Sequence, residues 1–259
     1  MTLFDALILG ALEGVTEFLP ISSTGHLIMA SELLGLDQTN AHKAFEVSIQ
    51  LGSILAVLFL YSKRLLQDSS LWYKIGVAFL PTGILGFLFY KQIKALFGPE
   101  TVSIMLIIGG VIFLILEYFR RDTVVTDGKN LSELTLKEAF TIGIFQSFSM
   151  IPGTSRSGAT IIGGLLLGLS RRSAAEFSFL LAIPTMIIAT VYDLIKHRNE
   201  MVVDDYSMLA VAFIVAFLFA LATIKFFVNF VSQHTFVPFA IYRIAIGILF
   251  FLWVVPING

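Results

Sequence analysis

The chain has 259 residues, of which 57% are hydrophobic and 14% are charged, and its 17 basic and 18 acidic residues leave a net charge of -1. A soluble domain carries roughly a quarter charged residues, so a soluble globule of this composition would lack the charges to cover its surface. The apolar content also excludes intrinsic disorder, and without a basic excess we expect no nucleic-acid partner. These exclusions leave a polytopic helical membrane protein, since barrel strands would alternate apolar and polar residues.

The first predicted element is a broken apolar segment. Residues 3–19 are followed by Pro20, by the small polar run 22–25 and by a short apolar arm that ends at Leu36. At roughly 1.5 Å of rise per residue, each arm is too short to cross a bilayer comfortably. Because Pro and Gly interrupt a helix, we expect a re-entrant hairpin, whose broken backbone must be buried in protein or line a wet cavity.

Three unbroken apolar segments follow, each near the roughly 20 residues that a helix needs to cross a bilayer. They cover residues 44–61, 72–90 and 101–119. A second broken segment then runs from residue 136 to Ile151, through Pro152 and the run 153–158, to Leu169. Three more apolar segments complete the chain, at residues 175–195, 207–231 and 236–256. The sequence therefore predicts an all-α protein with six transmembrane helices and two re-entrant hairpins, in one membrane domain covering residues 1–259.

The two predicted hairpins are similar in sequence. When the first is shifted by 133 residues, 11 of the 35 positions from Thr2 to Leu36 are identical, and Ser22 falls on Ser155. We therefore expect two repeats, residues 1–119 and 134–259, each with one hairpin and three spans. Because three is odd, the second repeat would enter the membrane from the opposite face, and such inverted repeats place their site where the broken helices meet.

Basic residues in the predicted loops indicate the orientation. Nine Lys and Arg residues lie in loops on one side of the membrane and five in loops on the other. The positive-inside rule therefore places both termini and the mouth of the first hairpin outside the cytoplasm. The cytoplasmic set is Lys63, Arg64, Lys74, Arg120, Arg121, Lys129, Lys137, Arg171 and Arg172. The outer set is Lys43, Lys91, Lys94, Lys196 and Arg198.

Two acids and a histidine stand out in the first hairpin. Glu13 and Glu17 lie four residues apart on one helix face, where like charges repel, and an ionised carboxylate at membrane depth costs at least ~2.5–3.5 kcal/mol. The pair needs a shared proton, a basic partner or a metal ion, unless it lies solvated near the interface. His26 follows the helix break, and a contact with Glu17 would suit it to acid–base chemistry. The other histidines lie in or beside loops and receive no role: His42, His197 and His234.

Arg156, at the tip of the second hairpin, needs an anion. Its planar guanidinium suits phosphate or carboxylate, although a purely structural ion pair with Glu13 or Glu17 is the alternative. Hydroxyl groups near the start of the returning arms either cap those helices or join their N–H groups in an anion site. These hydroxyl residues are Ser22, Ser23, Thr24, Thr154, Ser155 and Ser157. Because the 133-residue shift aligns Glu17 with Met150 and Ser23 with Arg156, a site needing acid and cation would combine both hairpins.

Two motifs resemble those of the bacterial undecaprenyl-diphosphate phosphatase family, also called bacitracin-resistance proteins. One runs from Glu13 to His26 (EGVTEFLPISSTGH) and the other from Pro152 to Thr160 (PGTSRSGAT), with a further matching stretch at residues 45–52. The resemblance covers essentially the whole chain. It implies hydrolysis of a C55 isoprenyl diphosphate to the monophosphate at the outer face of the plasma membrane, which recycles a lipid carrier for peptidoglycan synthesis and removes the target of bacitracin.

Carried onto this sequence, the resemblance implies that Arg156 and the N–H groups near the hydroxyl residues hold the diphosphate. Ser23 would be the nucleophile and His26 its base, oriented by Glu17, while Glu13 with Glu17 would bind a divalent cation such as Mg²⁺ or Ca²⁺. His26 or water as the nucleophile are the alternatives. We also expect surrounding membrane lipids and allow for a homodimer. The competing class is a lipid or anion transporter, because inverted repeats with broken helices are typical of transporters.

Overall fold

A computed structural model of the chain describes residues 1–37, 39–120, 128–196 and 206–258. Within these ranges the protein is helical, and its β pairing is limited to one isolated bridge between Lys129 and Leu169. The prediction of an all-α protein is therefore confirmed. Arg121 and Arg198, which enter the orientation count, and His197 lie outside the described residues.

Eleven α-helices make up the described part of the chain. The first six are α1 (Leu3–Thr16), α2 (Ser23–Leu33), α3 (Asn40–Gln67), α4 (Ser69–Leu88), α5 (Tyr90–Ala95) and α6 (Pro99–Phe119). The other five are α7 (Leu136–Ser147), α8 (Arg156–Leu166), α9 (Arg171–Lys196), α10 (Tyr206–Val231) and α11 (Val237–Asn258).

Five of the described helices are long and apolar enough to span a membrane, namely α3, α4, α6, α9 and α10. Each corresponds to one predicted span, so the prediction of a polytopic membrane protein is confirmed. The sixth predicted span lies in α11, whose apolar stretch Val237–Trp253 is shorter.

Both predicted hairpins have the helix–break–helix form. In the first, α1 ends at Thr16, the chain turns through Pro20, and α2 begins at Ser23. In the second, a single 3-10 turn (Phe148–Met150) follows α7 before the chain turns into α8. The residue before each returning helix lies in the left-handed region, with φ of 71° at Ser22 and 74° at Ser155. A non-glycine residue in this region stores about 1–3 kcal/mol of strain, and such residues cluster at functional sites.

The packing of the two hairpins depends on glycine. Gly10 of α1 lies against Ala212 of α10, and Gly143 of α7 lies against Ala78 of α4. A Cβ atom at either glycine would overlap a main-chain carbonyl of the facing helix. Small residues are enriched at such membrane contacts because association there depends on close van der Waals packing. The glycines thus fix each outgoing arm against a long helix.

A buried ion pair joins the end of α6, the start of α9 and the residue just before α11. Arg171 at the start of α9 donates through Nη2 to Glu117 Oε2 of α6 at 2.5 Å and through Nε to Oε1 at 3.0 Å. Glu117 also accepts a hydrogen bond from the main-chain N–H of Phe236, just before α11, at 3.0 Å. The bidentate geometry fixes orientation as well as adding energy, so this contact sets the mutual register of α6, α9 and α11.

Candidate functional site

The two hairpin turns meet inside the bundle. The Ser157 hydroxyl, in the first turn of α8, donates to the main-chain carbonyl of Leu19 in the first hairpin at 2.8 Å. Arg156 reaches across to Glu17, the residue that follows α1, with 3.0 Å between Nη2 and Oε1. The starts of α2 and α8 therefore lie together, as the sequence predicts for a composite site.

Glu17 is the centre of this junction. Its carboxylate is 7% exposed and has a different partner on each oxygen. Oε1 accepts from Arg156, and Oε2 accepts from the Ser23 hydroxyl at 2.5 Å. A short hydrogen bond from a hydroxyl to a carboxylate is the geometry in which the hydroxyl can lose its proton. One carboxylate thus links the predicted nucleophile to the predicted phosphate-binding cation.

Arg156 is held on several sides. Its Nη1 donates to the main-chain carbonyl of Ser178 in α9 at 2.8 Å, and its guanidinium carbon lies 5.9 Å from the centre of the Phe18 ring. Its buried Nε atom has no hydrogen-bond partner. The guanidinium is therefore oriented by protein groups while one donor stays available, as a phosphate site requires.

His26 has different partners from those that the sequence suggests. We expected Glu17 to orient it, but Nδ1 of His26 lies 2.8 Å from the main-chain carbonyl of Ser22 and Nε2 lies 2.7 Å from the hydroxyl of Tyr242. The expected Glu17–His26 hydrogen bond is therefore wrong. The reason is the register of α2: its first residue, Ser23, is directed to Glu17, whereas His26 lies three residues further along the helix.

The remaining hydroxyl residues surround the two helix starts. The Ser155 hydroxyl accepts from the main-chain N–H of Gly158 at 3.1 Å, which caps α8, and lies 3.0 Å from the hydroxyl of Ser157. The Thr154 hydroxyl is buried without a partner, and Thr24 is half-buried in the first turn of α2. Ser22 contributes its left-handed backbone and its carbonyl. Two helix N-termini with adjacent hydroxyl groups favour an anion between them.

Arg243 of α11 donates hydrogen bonds to the main chain of both hairpin turns. The residue is fully buried and donates only to main-chain carbonyls, at distances of 2.9 to 3.2 Å. The acceptors are Pro20 in the first turn, Gly153 and Thr154 in the second, and Met105 and Leu106 in α6. Its charge is thus stabilised by carbonyl dipoles rather than by a carboxylate, and it holds the two turns in one arrangement.

Glu13 is the remaining predicted site residue. It is 0% exposed, and neither carboxylate oxygen has a partner at full hydrogen-bond geometry, although the Ser53 hydroxyl is a neighbour. If ionised, Glu13 would be repelled by Glu17 and Glu46 and attracted by Arg156. A buried carboxylate beside other acids fits a cation ligand. In the described part of the chain no group of three or more His, Asp or Glu residues could hold a metal ion.

Sequence reasoning assigned no role to three residues of the site. Ser178, whose carbonyl holds Arg156, and Tyr242, which contacts His26, carry no local signal in apolar helices. Arg243 does carry a signal, since a charge within a span needs a partner, but main-chain acceptors leave no trace in the sequence. His42, which received no role, is buried with Nε2 2.8 Å from the Ser31 hydroxyl and 3.1 Å from Glu46.

Together the helices and the site define a polytopic membrane protein with a buried polar site that combines residues of both hairpins. The chain belongs to the family described as bacitracin resistance protein BacA, whose model matches residues 6–249. The resemblance stated from the motifs is confirmed.

Curated relatives named undecaprenyl-diphosphatase match the chain over nearly its whole length. The protein from Wolinella succinogenes is 56% identical over 253 residues, which cover 98% of both chains. The protein from Sulfurihydrogenibium sp. is 57% identical over 253 residues, covering 98% of this chain and 100% of the relative. The protein from Persephonella marina is 56% identical over 254 residues, with the same coverage.

Proposed function

We propose that the chain hydrolyses undecaprenyl diphosphate to undecaprenyl phosphate and inorganic phosphate. The observation that carries the proposal is Glu17, which accepts from the Ser23 hydroxyl on one oxygen and from Arg156 on the other. The names and the high identity of the relatives support the same activity. The product re-enters peptidoglycan synthesis as lipid carrier, and loss of the diphosphate lipid confers resistance to bacitracin.

The diphosphate binds between the two helix starts in this proposal. Arg156 supplies charge-assisted hydrogen bonds, and the N–H groups at the starts of α2 and α8 supply fixed dipoles. Donors positioned before the reaction stabilise charge that develops on the transferred phosphoryl group, and removing one such donor commonly costs about 10²–10³ in rate. Ser155, Ser157 and the unpartnered Thr154 hydroxyl complete the binding set, with Ser22 and Thr24 on the opposite side.

The hydrogen bond from Ser23 to Glu17 suggests the first step of the reaction. The Ser23 oxygen attacks the terminal phosphorus, its proton passes to Glu17, and the bond to the bridging oxygen breaks with its electron pair leaving on undecaprenyl phosphate. Water then attacks the phosphoserine phosphorus, which releases inorganic phosphate and restores the Ser23 hydroxyl. Glu17, rather than His26, is thus the base for Ser23, which revises the assignment from the sequence.

One experiment distinguishes Ser23 from the two other candidate nucleophiles, His26 and water. His26 would attack through Nε2, and water would attack directly, with His26 as base. Rapid acid and base quenching with substrate labelled on the terminal phosphate separates them: phosphoserine survives acid, phosphohistidine survives base, and direct attack traps neither. We expect acid-stable label on Ser23 that disappears in Ser23→Ala.

Glu13, with Glu17, would hold a divalent cation such as Mg²⁺ or Ca²⁺ in this site. A bound cation would neutralise part of the diphosphate charge. The support is the fully buried carboxylate of Glu13 beside Glu17. Glu17 keeps its own bonds to Ser23 and Arg156, so Glu13 is the principal protein ligand in this proposal.

The architecture is proposed to be an inverted repeat in one membrane domain. Helices α2 and α8 have bounds that differ by 133 residues at both ends, as do the left-handed residues Ser22 and Ser155. The packing has the same symmetry: α1 of the first repeat packs on α10 of the second, and α7 of the second repeat packs on α4 of the first. With the loop charges, this favours six spans in the inner membrane of the bacterium and a site that opens to the periplasm. One chain carries every site residue, so the activity needs no second copy.

The function is tested with purified protein in detergent and in liposomes. Release of inorganic phosphate from undecaprenyl diphosphate supports the proposal. Movement of the lipid across liposomes without phosphate release would support the transporter alternative instead. The unequal chemistry of the hairpins argues against symmetric transport, since the acid and hydroxyl come from the first and the cation from the second.

A further inference from the structure

Tyr242 of α11 contacts His26, the base predicted from the sequence, which does not touch Glu17. Its hydroxyl lies 2.7 Å from Nε2 of His26, a contact between residues 216 positions apart. The two ring planes differ by 7°. Tyr242 is 39% exposed, whereas His26 is 6% exposed. The tyrosine therefore stands between the buried imidazole and the surroundings of the helix bundle.

The hydrogen bonds of His26 define its tautomer. A main-chain carbonyl can only accept, so the 2.8 Å contact with Ser22 requires a proton on Nδ1. In the neutral imidazole Nε2 then carries the lone pair and accepts from the Tyr242 hydroxyl. Because a phenol both donates and accepts, the same contact persists when Nε2 gains a proton, with the Tyr242 oxygen as acceptor.

The position of Tyr242 is fixed by its neighbour in the chain. Arg243 donates to carbonyls of both hairpin turns, including Pro20, which lies two residues before Ser22. The carbonyl that fixes Nδ1 of His26 and the hydroxyl that faces Nε2 are thus held by one rigid junction. A functional site needs such a supporting shell, because it holds the reacting side chain in a productive geometry.

We propose that Tyr242 is a positioning residue for His26: it holds the imidazole in the Nδ1–H form and joins Nε2 to the tyrosine hydroxyl. The proposal rests on the proposed phosphatase function and extends it. Since Ser23 is bonded to Glu17, Nε2 serves the second half of the reaction, in which water attacks the phosphoserine. There the attacking water gives a proton to the Tyr242 oxygen as the Tyr242 hydroxyl gives its own proton to Nε2, and Tyr242 then accepts from the protonated imidazole.

Tyr242→Phe tests the proposal because it keeps the ring and removes only the hydroxyl. We expect kcat for phosphate release from undecaprenyl diphosphate to fall at least fivefold while KM stays within twofold. In ¹⁵N spectra of histidine-labelled protein, the His26 Nε2 resonance, assigned by its absence in His26→Gln, should shift towards that of a free imidazole nitrogen. Tyr73→Phe, at a 71% exposed tyrosine of α4, is the matched control and should change neither quantity.

A kcat loss below fivefold, or an unchanged His26 resonance in Tyr242→Phe, would overturn the proposal. If Tyr242→Phe does not fold, 3-fluorotyrosine at position 242 keeps the shape and alters the donor strength. A shifted His26 resonance in that protein supports the proposal, and an unshifted one overturns it. A wild-type protein that released no phosphate would instead contradict the proposed function, so the two failures are distinguishable.

Discussion

Arg156 Nη2 donates to Glu17 Oε1 at 3.0 Å, and this ion pair joins hairpin turns that are 139 residues apart in the chain. Both side chains are largely buried, at 11% and 7% exposure. Removing one member of such a pair leaves an uncompensated buried charge, which costs about 3–5 kcal/mol. The pair leaves Nε of Arg156 without a partner, so a substrate phosphate can bind Arg156 while the pair still joins the two hairpins.

Arg156→Lys should keep the fold and lose activity. Lysine retains the charge, but its ammonium cannot bond the Ser178 carbonyl, Glu17 and phosphate in the planar arrangement of a guanidinium. We expect kcat for phosphate release to fall about 100-fold or more. Arg172→Lys is the matched control, since Arg172 is 63% exposed and pairs with Glu176 of its own helix. Equal loss in both variants would show that Arg156 has no special role.

Glu13→Gln separates cation binding from folding. The amide has the shape of the carboxylate without its charge, and its oxygen can still accept from the neighbouring Ser53 hydroxyl. The free energy of unfolding should therefore stay equal or rise. The concentration of Mg²⁺ or Ca²⁺ that gives half-maximal activity should increase about tenfold or more. Glu32→Gln, at an exposed acid of α2, should leave both quantities unchanged. Unaltered cation dependence in Glu13→Gln would remove Glu13 from the proposed cation site.

Arg243→Lys should destabilise the protein. An ammonium has three donors, so at least two of the five carbonyls that Arg243 bonds lose their hydrogen bond from a cation. A hydrogen bond to a charged group contributes about 1.5–3 kcal/mol, and we expect the free energy of unfolding to drop by about 2 kcal/mol or more. Reversible unfolding in mixed detergents measures the change, with Lys225→Met at an exposed position of α10 as control. Stability equal to wild type would contradict the role of Arg243 in holding the two hairpin turns together.

Gly10→Ala and Gly143→Ala should each destabilise the packing of an outgoing arm. The added methyl group meets the carbonyl of Ala212 or of Ala78, and overpacking of this kind costs about 1–3 kcal/mol. Gly76→Ala is the control, because no atom lies within 4 Å of the added group. Alanine is the better helix former, so that variant should be as stable as wild type or more stable. Equal effects at all three positions would refute the close contacts.

The orientation can be read by labelling single cysteines, since the natural sequence has none. Asp37→Cys lies between α2 and α3, and Ser69→Cys lies at the start of α4, both at exposed positions. The proposed topology predicts that a membrane-impermeant maleimide labels Asp37→Cys in cells with a permeabilised outer membrane. Ser69→Cys should react only after the inner membrane is opened. The reverse pattern would invert the topology and place the site on the cytoplasmic side.

The helix breaks were predictable because their causes are local. Proline and small polar residues end α1 and begin α2 whatever the surrounding helices do. The meeting of acid and cation was also predictable, since Glu17 and Arg156 are costly in an apolar chain unless they find partners. The sequence could therefore name most of the site.

The detailed contacts were not predictable. Proximity along the chain suggested that Glu17 would orient His26, but the register of α2 directs Ser23 to Glu17 instead. Tyr242 reaches His26 only through the packing of α11, and nothing distinguishes it from the other tyrosines of the sequence. Contacts of this kind depend on how helices far apart in the chain are placed.

The most direct test of the composite site is phosphate release from undecaprenyl diphosphate by purified wild type, Glu17→Gln and Arg156→Ala at equal folded concentration. We predict turnover by the wild type and a loss of about 100-fold or more in each variant, since each removes one side of the junction between the hairpins. Wild-type rates in either variant, or a wild type that releases no phosphate, would contradict the account.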